Sequence, residues 1–560
     1  MDDAAPAPPS ARSFSWIELP TEFPPISRRR LFALAGGAAA VAALAACGSS
    51  KSSSSATTSA GGPATTATGG STATTTAAAK RGGTLRVGTG SAPTSLDPHV
   101  GSSGNDYILL YPLYDTLIDF DPTTLEPKPG IAESWTFDSQ TSFTLKLHSG
   151  VTFHDGTPLD ATAVKYSLTR AQSDPLSNIK TDLAGVSAID VVDASTVKLT
   201  LSRANSEIVG ILSDRAGMIV SPTAAQKLGK DFGTAPVGAG PFKFKSYSQG
   251  ASASYVRNET YWRTGLPYLD GIDMSIVAES ATRLNALLSG DSDFDYRLDA
   301  DQIAQVDGQP NVTYLKYVGI GNCKVIYMDT SLAPFDKKEV RQAVNYAFDR
   351  EAMAKAATFN TGEPMWMYFP SAHWAYRPNL VPTYPHDVQK AKDLLASVGL
   401  ASGVTFTLCH QPDATDTRVA ELIQSQLKEA GINAELHPTE LTQSVKDYFV
   451  DKKFNAGSFG WTGRPDPNMT FRQVFTNTAY FNAGKYEIPG FSALMDQASS
   501  VTAIPERQAV YDKVIPLIDD HAINAPLFWY ASIDGFTKKL VNYVPNLLAK
   551  PKFTEVSLAS

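Results

Sequence analysis

Alternating apolar and polar residues mark short strands in the first half of the main body of the chain, from about residue 80 to residue 330. Thr84–Gly90 has this pattern, and Phe143, Leu145 and Leu147 alternate with polar neighbours, as one face of a half-buried strand does. The same pattern recurs in four further segments, residues 197–201, 251–258, 272–277 and 312–318. Because short turns join several of these segments, we predict antiparallel strand pairs in this half.

Helices are predicted between these strands. One helix opens at Asp160 and carries Val164 and Leu168 on one face, and a second begins at Ser221 with Pro222 in its first position. The body as a whole is too long for one hydrophobic core, so we expect two or more lobes.

After residue 330 the pattern changes to alternating strands and helices. Asp336 and Glu339 have the spacing of a capping box, which predicts one long helix reaching about Thr358. Two later helices are predicted to end at Gly399 and Gly431, where a left-handed residue is favoured. The intervening strands are predicted at residues 404–409, 434–436 and 456–461.

Successive strand–helix–strand units predict a parallel sheet in this second half. Ligands of such sheets lie beyond the carboxyl ends of the strands. The loop that follows Trp461 is therefore expected to face a cleft.

The N-terminal segment has the features of an export and anchoring signal. Arg28, Arg29 and Arg30 precede an apolar run of 16 residues, which is shorter than the roughly 20 that a transmembrane helix needs. Arg29–Phe32 resembles a twin-arginine export pattern, and Leu44–Cys47 resembles a bacterial lipobox, which implies cleavage before Cys47 and acylation of its thiol. We therefore assign residues 1–46 to the export signal; an uncleaved anchor helix is the alternative.

Composition limits the remaining possibilities. Residues 47–80 are almost entirely Gly, Ser, Thr and Ala, which predicts a disordered tether behind the lipid anchor. The chain is 43% hydrophobic, carries a formal charge of −8 and has no basic stripe, so we expect no nucleic-acid partner. Cys323 and Cys409 are predicted to be buried free thiols, with a disulfide between them as the alternative.

Seven groups of residues, in chain order, carry a resemblance to a known family. They are Gly82–Val87 with Ser95–Pro98, Tyr114–Leu117 with Ala132–Trp135, Phe153–Pro158, Val237–Phe242, Pro334–Phe335 leading into Val340–Ala343, Asp349–Arg350, and Gly460–Pro467. Together they resemble the extracellular solute-binding proteins of family 5, which serve ABC importers of dipeptides, oligopeptides and nickel. The resemblance spans nearly all of residues 80–560.

This resemblance implies an α/β fold: a two-lobe periplasmic-binding-protein-like clamp of type II, cluster C, with an extra subdomain in the first lobe. Lobe I is expected at residues 81–328 with its subdomain at about 116–234, and lobe II at 329–525. The chain is expected to return to lobe I at 526–560. The strands that cross between the lobes are predicted near Cys323–Met328 and Pro526–Ile533.

The resemblance also implies binding residues in the loop at Gly460, Trp461 and Thr462. Peptide binders of this family hold the ligand amine with an aspartate three residues after the loop tryptophan. That position is Arg464 in this chain, which favours a carboxylate or phosphate instead. With a two-residue shift of the loop, Asp466 recovers the acidic role. A further alternative is that Arg464 points into solvent or pairs locally with Asp466.

Further ligand contacts are expected by family position. The aromatic tract from Met365 to Tyr376 suggests stacking surfaces for a ligand; its alternative role is to fill a small core under a loop. The other candidates are main chain after the first strand and one side chain of a crossing strand. The residues named in these groups are Trp366, Trp374, Tyr376, Ala92, Pro93 and Tyr327.

The implied function is that of a lipid-anchored solute-binding protein, located outside the cytoplasmic membrane, which delivers an oligopeptide or peptide-like solute to ABC permease subunits and their ATPase. An opine, an oligosaccharide or a nickel chelate is the alternative ligand. Two other classes stay open. One is a sensory or structural lipoprotein that uses the same clamp without a permease, and the other is an exported serine hydrolase using Ser177 and Lys180, an S-x-x-K pair without its companion motif. We expect a monomer, no enzymatic activity, no cofactor and no metal site.

The lipobox generates a first prediction. Cys47→Ser removes the thiol that would be acylated, so the protein is expected to move from the membrane fraction to the soluble fraction without a change in unfolding temperature. Fractionation and thermal unfolding measure the two effects, with Ser49→Ala as the matched control. Persistent membrane attachment of Cys47→Ser would favour the uncleaved helix.

Overall fold

The computed structural model describes residues 80–559; the export signal, Cys47 and most of the tether lie outside these residues. Its strands are β1 Thr84–Thr89, β2 Ile118–Phe120, β3 Pro127–Pro129, β4 Ala132–Ser139, β5 Ser142–Leu147, β6 Val186–Asp193, β7 Thr196–Leu201, β8 Phe242–Ser248, β9 Ser252–Arg257, β10 Gly271–Ile276, β11 Phe294–Asp295, β12 Val312–Met328, β13 Glu363–Pro364, β14 Val404–His410, β15 Ile432–Pro438, β16 Ala456–Phe459, β17 Asn524–Thr537, β18 Leu540–Val541 and β19 Ser557–Leu558.

The helices are α1 Tyr107–Leu110, α2 Ala161–Ser173, α3 Ile208–Ile211, α4 Pro222–Leu228, α5 Ser280–Ser289, α6 Ile303–Val306, α7 Lys338–Tyr346, α8 Arg350–Ala357, α9 Val388–Ser397, α10 Ala414–Glu429, α11 Leu441–Phe449, α12 Pro467–Phe475, α13 Phe491–Ser500 and α14 Ile504–His521. Several predicted signals act as expected. The Asp160 carboxylate accepts a hydrogen bond from the Ala163 amide at the start of α2, and Gly399 and Gly431 have positive φ angles of 79° and 80° after their helices.

Two lobes share one eleven-stranded sheet, in the order β15-β14-β16-β12-β17-β11-β1-β10-β9-β8, with β13 beside β17. In lobe I, β1 runs parallel to β10 and β11, and in lobe II, β14 runs parallel to β15 and β16. The antiparallel pair β12 and β17 belongs to both lobes and joins them. The fold is therefore the two-lobe clamp that the family resemblance implies.

Lobe I contains a separate four-stranded antiparallel sheet, in the order β4-β5-β7-β6. The side chains of Phe143, Leu145 and Leu147 on β5 are buried, as their alternation predicts, in one hydrophobic core with Val164 and Leu168 of α2. This sheet and its helices form the extra subdomain of the first lobe.

The two crossing strands are longer than predicted. β12 and β17 pair over Val312–Val318 and again over Cys323–Tyr327, and the register shifts at the intervening residues 319–322. The shift is a bulge with the sequence Gly-Ile-Gly-Asn, and Gly319 and Gly321 lie so close to the Leu547 and Leu548 carbonyls that a Cβ atom would approach them to 2.7 and 3.2 Å. A later part of the chain therefore packs directly against the crossing point.

The prediction of one long helix reaching Thr358 is wrong. The structure has two helices, α7 and α8, because the Asp349 carboxylate accepts a hydrogen bond from the Ala352 amide and starts a new helix. The capping box predicted from Asp336 and Glu339 is also wrong, because α7 begins after Lys337, whose side chain makes no capping hydrogen bond.

The two cysteines of the described residues are both free and both buried, as predicted. Burial raises the pKa of each thiol to about 12, so neither Cys323 nor Cys409 supplies a thiolate at neutral pH. No helix within residues 80–559 is both long enough and apolar enough to cross a membrane.

Candidate ligand-binding cleft

A cavity of about 680 Å³ lies where the two lobes meet the crossing strands. This volume falls within the range of roughly 300–1,000 Å³ that is usual for small-molecule sites. Loops of lobe I, the bulge of β12, the loop after β16 and the segment after β18 all contribute to its wall. The lining residues that carry or border charge are Asn105, Tyr107, Asp182, Asp214, Arg215, Arg297, Asn322, Thr462, Arg464 and Lys550.

The loop after β16 reaches the cavity because it is fixed to the crossing strand. The Gly463 amide donates a 2.7 Å hydrogen bond to the Ile320 carbonyl in the bulge, and a Cβ atom at Gly463 would come within 2.6 Å of that oxygen. Trp461 is 2% exposed and packs edge-on against Phe481, with ring centroids 5.0 Å apart. The buried Trp461 side chain thus holds the loop against the core, while Thr462 and Arg464 line the cavity.

The Arg464 guanidinium lies 5.4 Å from the centroid of the Trp461 ring and donates a 2.8 Å hydrogen bond to the Thr462 carbonyl. Within residues 80–559 it forms no ion pair with a carboxylate.

Lys550 brings a second cation into the same cavity. Its ammonium lies 3.5 Å from the centroid of the Tyr107 ring and has no hydrogen-bond or ion-pair partner within the described residues. Burial, together with the positive charges of Arg215, Arg464 and Arg297, lowers its pKa to about 8, although Asp214 opposes the shift. This ammonium is therefore short of acceptors.

Arg215 and Arg297 differ in how their charge is balanced. Arg215 pairs with Asp106 at 2.9 Å and stacks 4.5 Å from the Tyr107 ring centroid. Arg297 has a positive φ of 65°, and its guanidinium donates only a long, 3.3 Å hydrogen bond to the Asn105 side chain, while its backbone amide donates to the Asp534 carboxylate. Its guanidinium has no carboxylate partner within the described part of the chain.

Two carboxylates face these cations. The Asp214 carboxylate accepts hydrogen bonds from the Tyr107 hydroxyl and the Arg215 amide. Although burial alone would raise its pKa, Lys550 and the Tyr107 hydroxyl bring the pKa of Asp214 below its usual value. Burial, and next the charge of Asp214, raise the pKa of Asp182 to about 6. The cavity therefore contains both signs of charge.

The remaining predicted site residues lie outside the wall of this cavity. Asp466 is 4% exposed, accepts a hydrogen bond from the Asn468 amide at the start of α12 and forms a two-fold ion pair with Arg507, with both N–O distances 2.6 Å. The carboxylate thus faces Arg507 and not the cavity, and it does not pair with Arg464.

The aromatic candidates lie apart from one another, on the crossing strand β12 and in lobe II. Tyr327 is 1% exposed in the core, among Phe449, Phe459 and Phe481. Trp366 borders a separate cavity of about 20 Å³, and its ring lies under Arg350.

Trp374 is also buried, under Arg507, and Tyr376 packs partly buried against the same hydrophobic core. Gly460 is exposed at the start of the loop. Ala92 and Pro93 do not line the cavity; the hydroxyl of neighbouring Ser91 accepts a hydrogen bond from Asn105, which does line it.

The Ser177 and Lys180 pair is not assembled as a catalytic pair. The Ser177 hydroxyl donates to the Ala171 carbonyl at 2.6 Å, and the Lys180 ammonium donates to the Pro175 carbonyl at 3.0 Å. Both groups are engaged with the backbone and not with each other.

Polar contacts also hold the lobes together at the side of the cavity. The Glu207 carboxylate of lobe I accepts hydrogen bonds from Arg472 at 3.1 Å and from the Ser499 hydroxyl at 2.8 Å, both in lobe II. The Ser206 amide and hydroxyl donate to the Ser499 and Ala498 carbonyls. We call Glu207, Arg472 and Ser499 the interlobe latch.

No pattern in the sequence predicted the cavity residues Asp182, Asp214, Arg297 and Lys550. None of them belongs to a local motif, and they come together only through the crossing strands. The one local feature that could have suggested a site is the bulge sequence Gly-Ile-Gly-Asn at residues 319–322, which interrupts an otherwise regular strand.

This chain is similar to known solute-binding proteins in both its sequence and its fold. A family model described as bacterial extracellular solute-binding proteins, family 5 middle, matches residues 126–482. The glutathione-binding protein GsiB of Escherichia coli strain K12 is 28% identical over 479 residues, which cover 80% of this chain and 93% of GsiB.

Two solved structures are similar along most of the chain. HbpA2 from Haemophilus parasuis has a TM-score of 0.77 at 26% identity and covers 85% of this chain and 100% of its own. AgaA from A. tumefaciens R10, solved in complex with agropinic acid, has a TM-score of 0.71 at 25% identity, with coverage of 85% and 99%.

The ion pair between Asp466 and Arg507 generates a prediction that separates folding from binding. Asp466→Asn leaves Arg507 buried without its carboxylate, so the free energy of unfolding is expected to fall by about 3 kcal/mol, while ligand affinity stays unchanged. Chemical denaturation and calorimetry measure these quantities. Asp520→Asn, at the exposed ion pair with Lys338, is the control and is expected to change stability by less than about 1 kcal/mol. A selective loss of affinity in Asp466→Asn would contradict this assignment.

Replacing Lys550 is expected to increase stability, whereas replacing Asp466 is expected to decrease it. Because the pKa of Lys550 is lowered in the folded state, folding disfavours the ammonium, and Lys550→Met is expected to raise the free energy of unfolding at pH 7 by about 1 kcal/mol. Between pH 8 and about 10 the folded wild type binds fewer protons than the unfolded chain, so its stability rises and the advantage of the variant shrinks. Urea unfolding at pH 7 and pH 9.5 tests this; a destabilised Lys550→Met would contradict it.

Proposed function

Because this chain belongs to the bacterial extracellular solute-binding proteins of family 5, we propose that it captures a small peptide or peptide-like solute in the interlobe cavity and delivers it to the permease of an ABC importer. Proteins of this family are the substrate-binding components of ABC importers and act outside the cytoplasm. The named relatives are solute-binding proteins and not enzymes.

The observation that carries the proposal is the cavity between the lobes, whose wall is built from both lobes and from the strands that join them. A solute that contacts Arg464 of lobe II and Tyr107 or Asp182 of lobe I at once interacts with the closed arrangement more strongly than with an open one. A differential affinity of a few kcal/mol is enough to shift a two-state population. Capture therefore requires only hinge motion at β12 and β17, with no covalent step.

The lipid anchor at Cys47 is the second part of the proposal. The lipobox supports it, and the Gly, Ser, Thr and Ala composition of residues 48–79 supports a flexible tether. A chain of this kind has a root-mean-square reach of about 30 Å, by the estimate of 5–6 Å times the square root of the residue number. A monomeric clamp on such a tether stays near its permease and still reaches solute.

The proposed site residues are those that the sequence and the cavity have in common, Thr462 and Arg464. Trp461 supports the loop, and the cavity adds Asp182, Asp214, Arg297 and Lys550. An opine or another peptide-like acid is the alternative ligand, favoured by the unpaired cations in the wall and by the agropinic acid complex of the similar structure AgaA. Peptide-like ligands are proposed first because GsiB is a glutathione-binding protein.

Capture without chemistry is tested by native mass spectrometry combined with small-angle scattering. Gently purified protein is expected to carry one small solute, to release it unaltered on denaturation, and to become more compact when the solute is added back. Release of a product that differs from the added solute would contradict the proposal, as would scattering curves that are the same with and without bound solute.

The interlobe latch sharpens this test. Glu207→Ala removes two hydrogen bonds to a charged group between the lobes without removing a residue from the cavity wall, so the solute is expected to bind about tenfold more weakly and the protein to close less completely. The matched control is Glu259→Ala in lobe I, whose side chain is 72% exposed. Equal affinity and equal closure in both variants would show that the latch does not contribute to capture.

A further inference from the structure

We propose that the interlobe cavity selects acidic zwitterions, that is, small solutes with at least two acid groups and one ammonium group. The inference rests on the proposed function and adds the chemical class of the solute. Its basis is the set of charged groups in the cavity wall, of which three cations are unpaired.

The first observation is how this protein treats its other buried and half-buried arginines. Arg170, Arg283 and Arg507 each form an ion pair with an aspartate at 2.5–2.9 Å within the fold. Arg341 and Arg350 donate to backbone carbonyls instead. Burying a cation without such partners is unfavourable, so the fold normally supplies them.

Three cations in the cavity wall lack such ion pairs within the described part of the chain. Arg297, Arg464 and Lys550 line the cavity without any ion pair to a carboxylate among residues 80–559, and the Lys550 ammonium lacks even a hydrogen-bond acceptor. These three cations lie in a chain whose formal charge is −8. A local excess of positive charge in a negative protein is the electrostatic complement of an acidic ligand.

The second observation concerns where the cations are attached. Arg464 belongs to the loop of lobe II, whereas Lys550 lies on the Tyr107 ring of lobe I and Arg297 lies beside the crossing strands. Closure brings the positive charge of Arg464 toward the other two. A neutral solute that fills the cavity leaves this repulsion in place, whereas an acidic solute replaces it by attraction. Acid groups on the solute therefore favour the closed state.

The third observation explains the single ammonium group. Asp214 is already engaged with the Tyr107 hydroxyl and the Arg215 amide, but the Asp182 carboxylate has no side-chain or backbone hydrogen-bond donor within the described residues. The Asp182 carboxylate can therefore accept hydrogen bonds from an ammonium group of the solute. Arg215 is balanced by Asp106, so three cations face two carboxylates, which leaves one positive charge for the solute to neutralise. A solute with two acid groups and one ammonium group carries the matching charge of −1.

The experiment compares matched probes that differ by one acid group. S-methylglutathione has two carboxylates and one ammonium group, and its glycine ethyl ester has one carboxylate; Ala-Glu-Ala and Ala-Gln-Ala form a second pair. Calorimetry at pH 7 is expected to show at least tenfold tighter binding of the acidic member in each pair. The preference is expected to shrink as ionic strength rises.

Three variants assign the effect to residues. Arg464→Gln and Lys550→Met are each expected to reduce the preference for the acidic member to less than threefold while affecting the other member little. Asp182→Asn is expected to weaken both members of a pair, because both carry the ammonium group. Lys338→Met, at an exposed ion pair away from the cavity, is the control and is expected to keep the full preference.

Equal binding within each pair, tighter binding of the ester or amide, or no binding of either acidic probe would overturn the inference. The proposed function fails differently. If a neutral or cationic solute binds and closes the lobes, solute capture stands and the acidic preference is wrong. If native mass spectrometry finds no solute and no probe closes the lobes, both fail.

Discussion

The structure depends on the pairing of two long antiparallel strands, β12 and β17, that belong to both lobes. Their pairing makes one sheet out of two half-sheets, and their register shift at residues 319–322 locates the joint. The two glycines of the shift admit the backbone of residues 547–548, and the Ile320 carbonyl receives the amide of Gly463. Three distant parts of the chain therefore meet at one point, and the cavity wall forms around it.

The charge distribution follows from this meeting point. Lys550 follows the segment that packs on the bulge, Arg464 follows the glycine bonded to it, and Tyr107 of lobe I supports the Lys550 ammonium. Stability alone would favour pairing or removing such cations, as at Arg507 and Asp466. Their retention in a shared cavity is the kind of strain that binding sites carry, and it links the free energy of the empty protein to the charge of its ligand.

Local patterns in the sequence predicted the local structure well, and long-range contacts limited the rest. Alternation located β5, and Gly399 and Gly431 marked two helix ends, because these depend on a few neighbouring residues. The family resemblance predicted that the loop after Trp461 faces the cleft and that Arg464 is a candidate binding residue, and Arg464 lines the cavity. By contrast, neither the role of Asp349 in starting α8 nor the pairing of Asp466 with Arg507 could be predicted, because each depends on a competing hydrogen bond or a distant partner. Lys550 and Asp182 have no local signature at all.

The contact between Tyr107 and Lys550 also has a consequence for biogenesis. The two residues are far apart in the sequence, so the pocket is incomplete until the segment around residue 550 has been synthesised and has packed against the rest of the fold. A nascent chain emerging from the ribosome cannot hold its solute, and a translocated polypeptide threaded in an extended form would have to rebuild the pocket after crossing. The resemblance of Arg29–Phe32 to a twin-arginine pattern predicts a route that exports proteins already folded, and such a route would carry a finished pocket across the membrane.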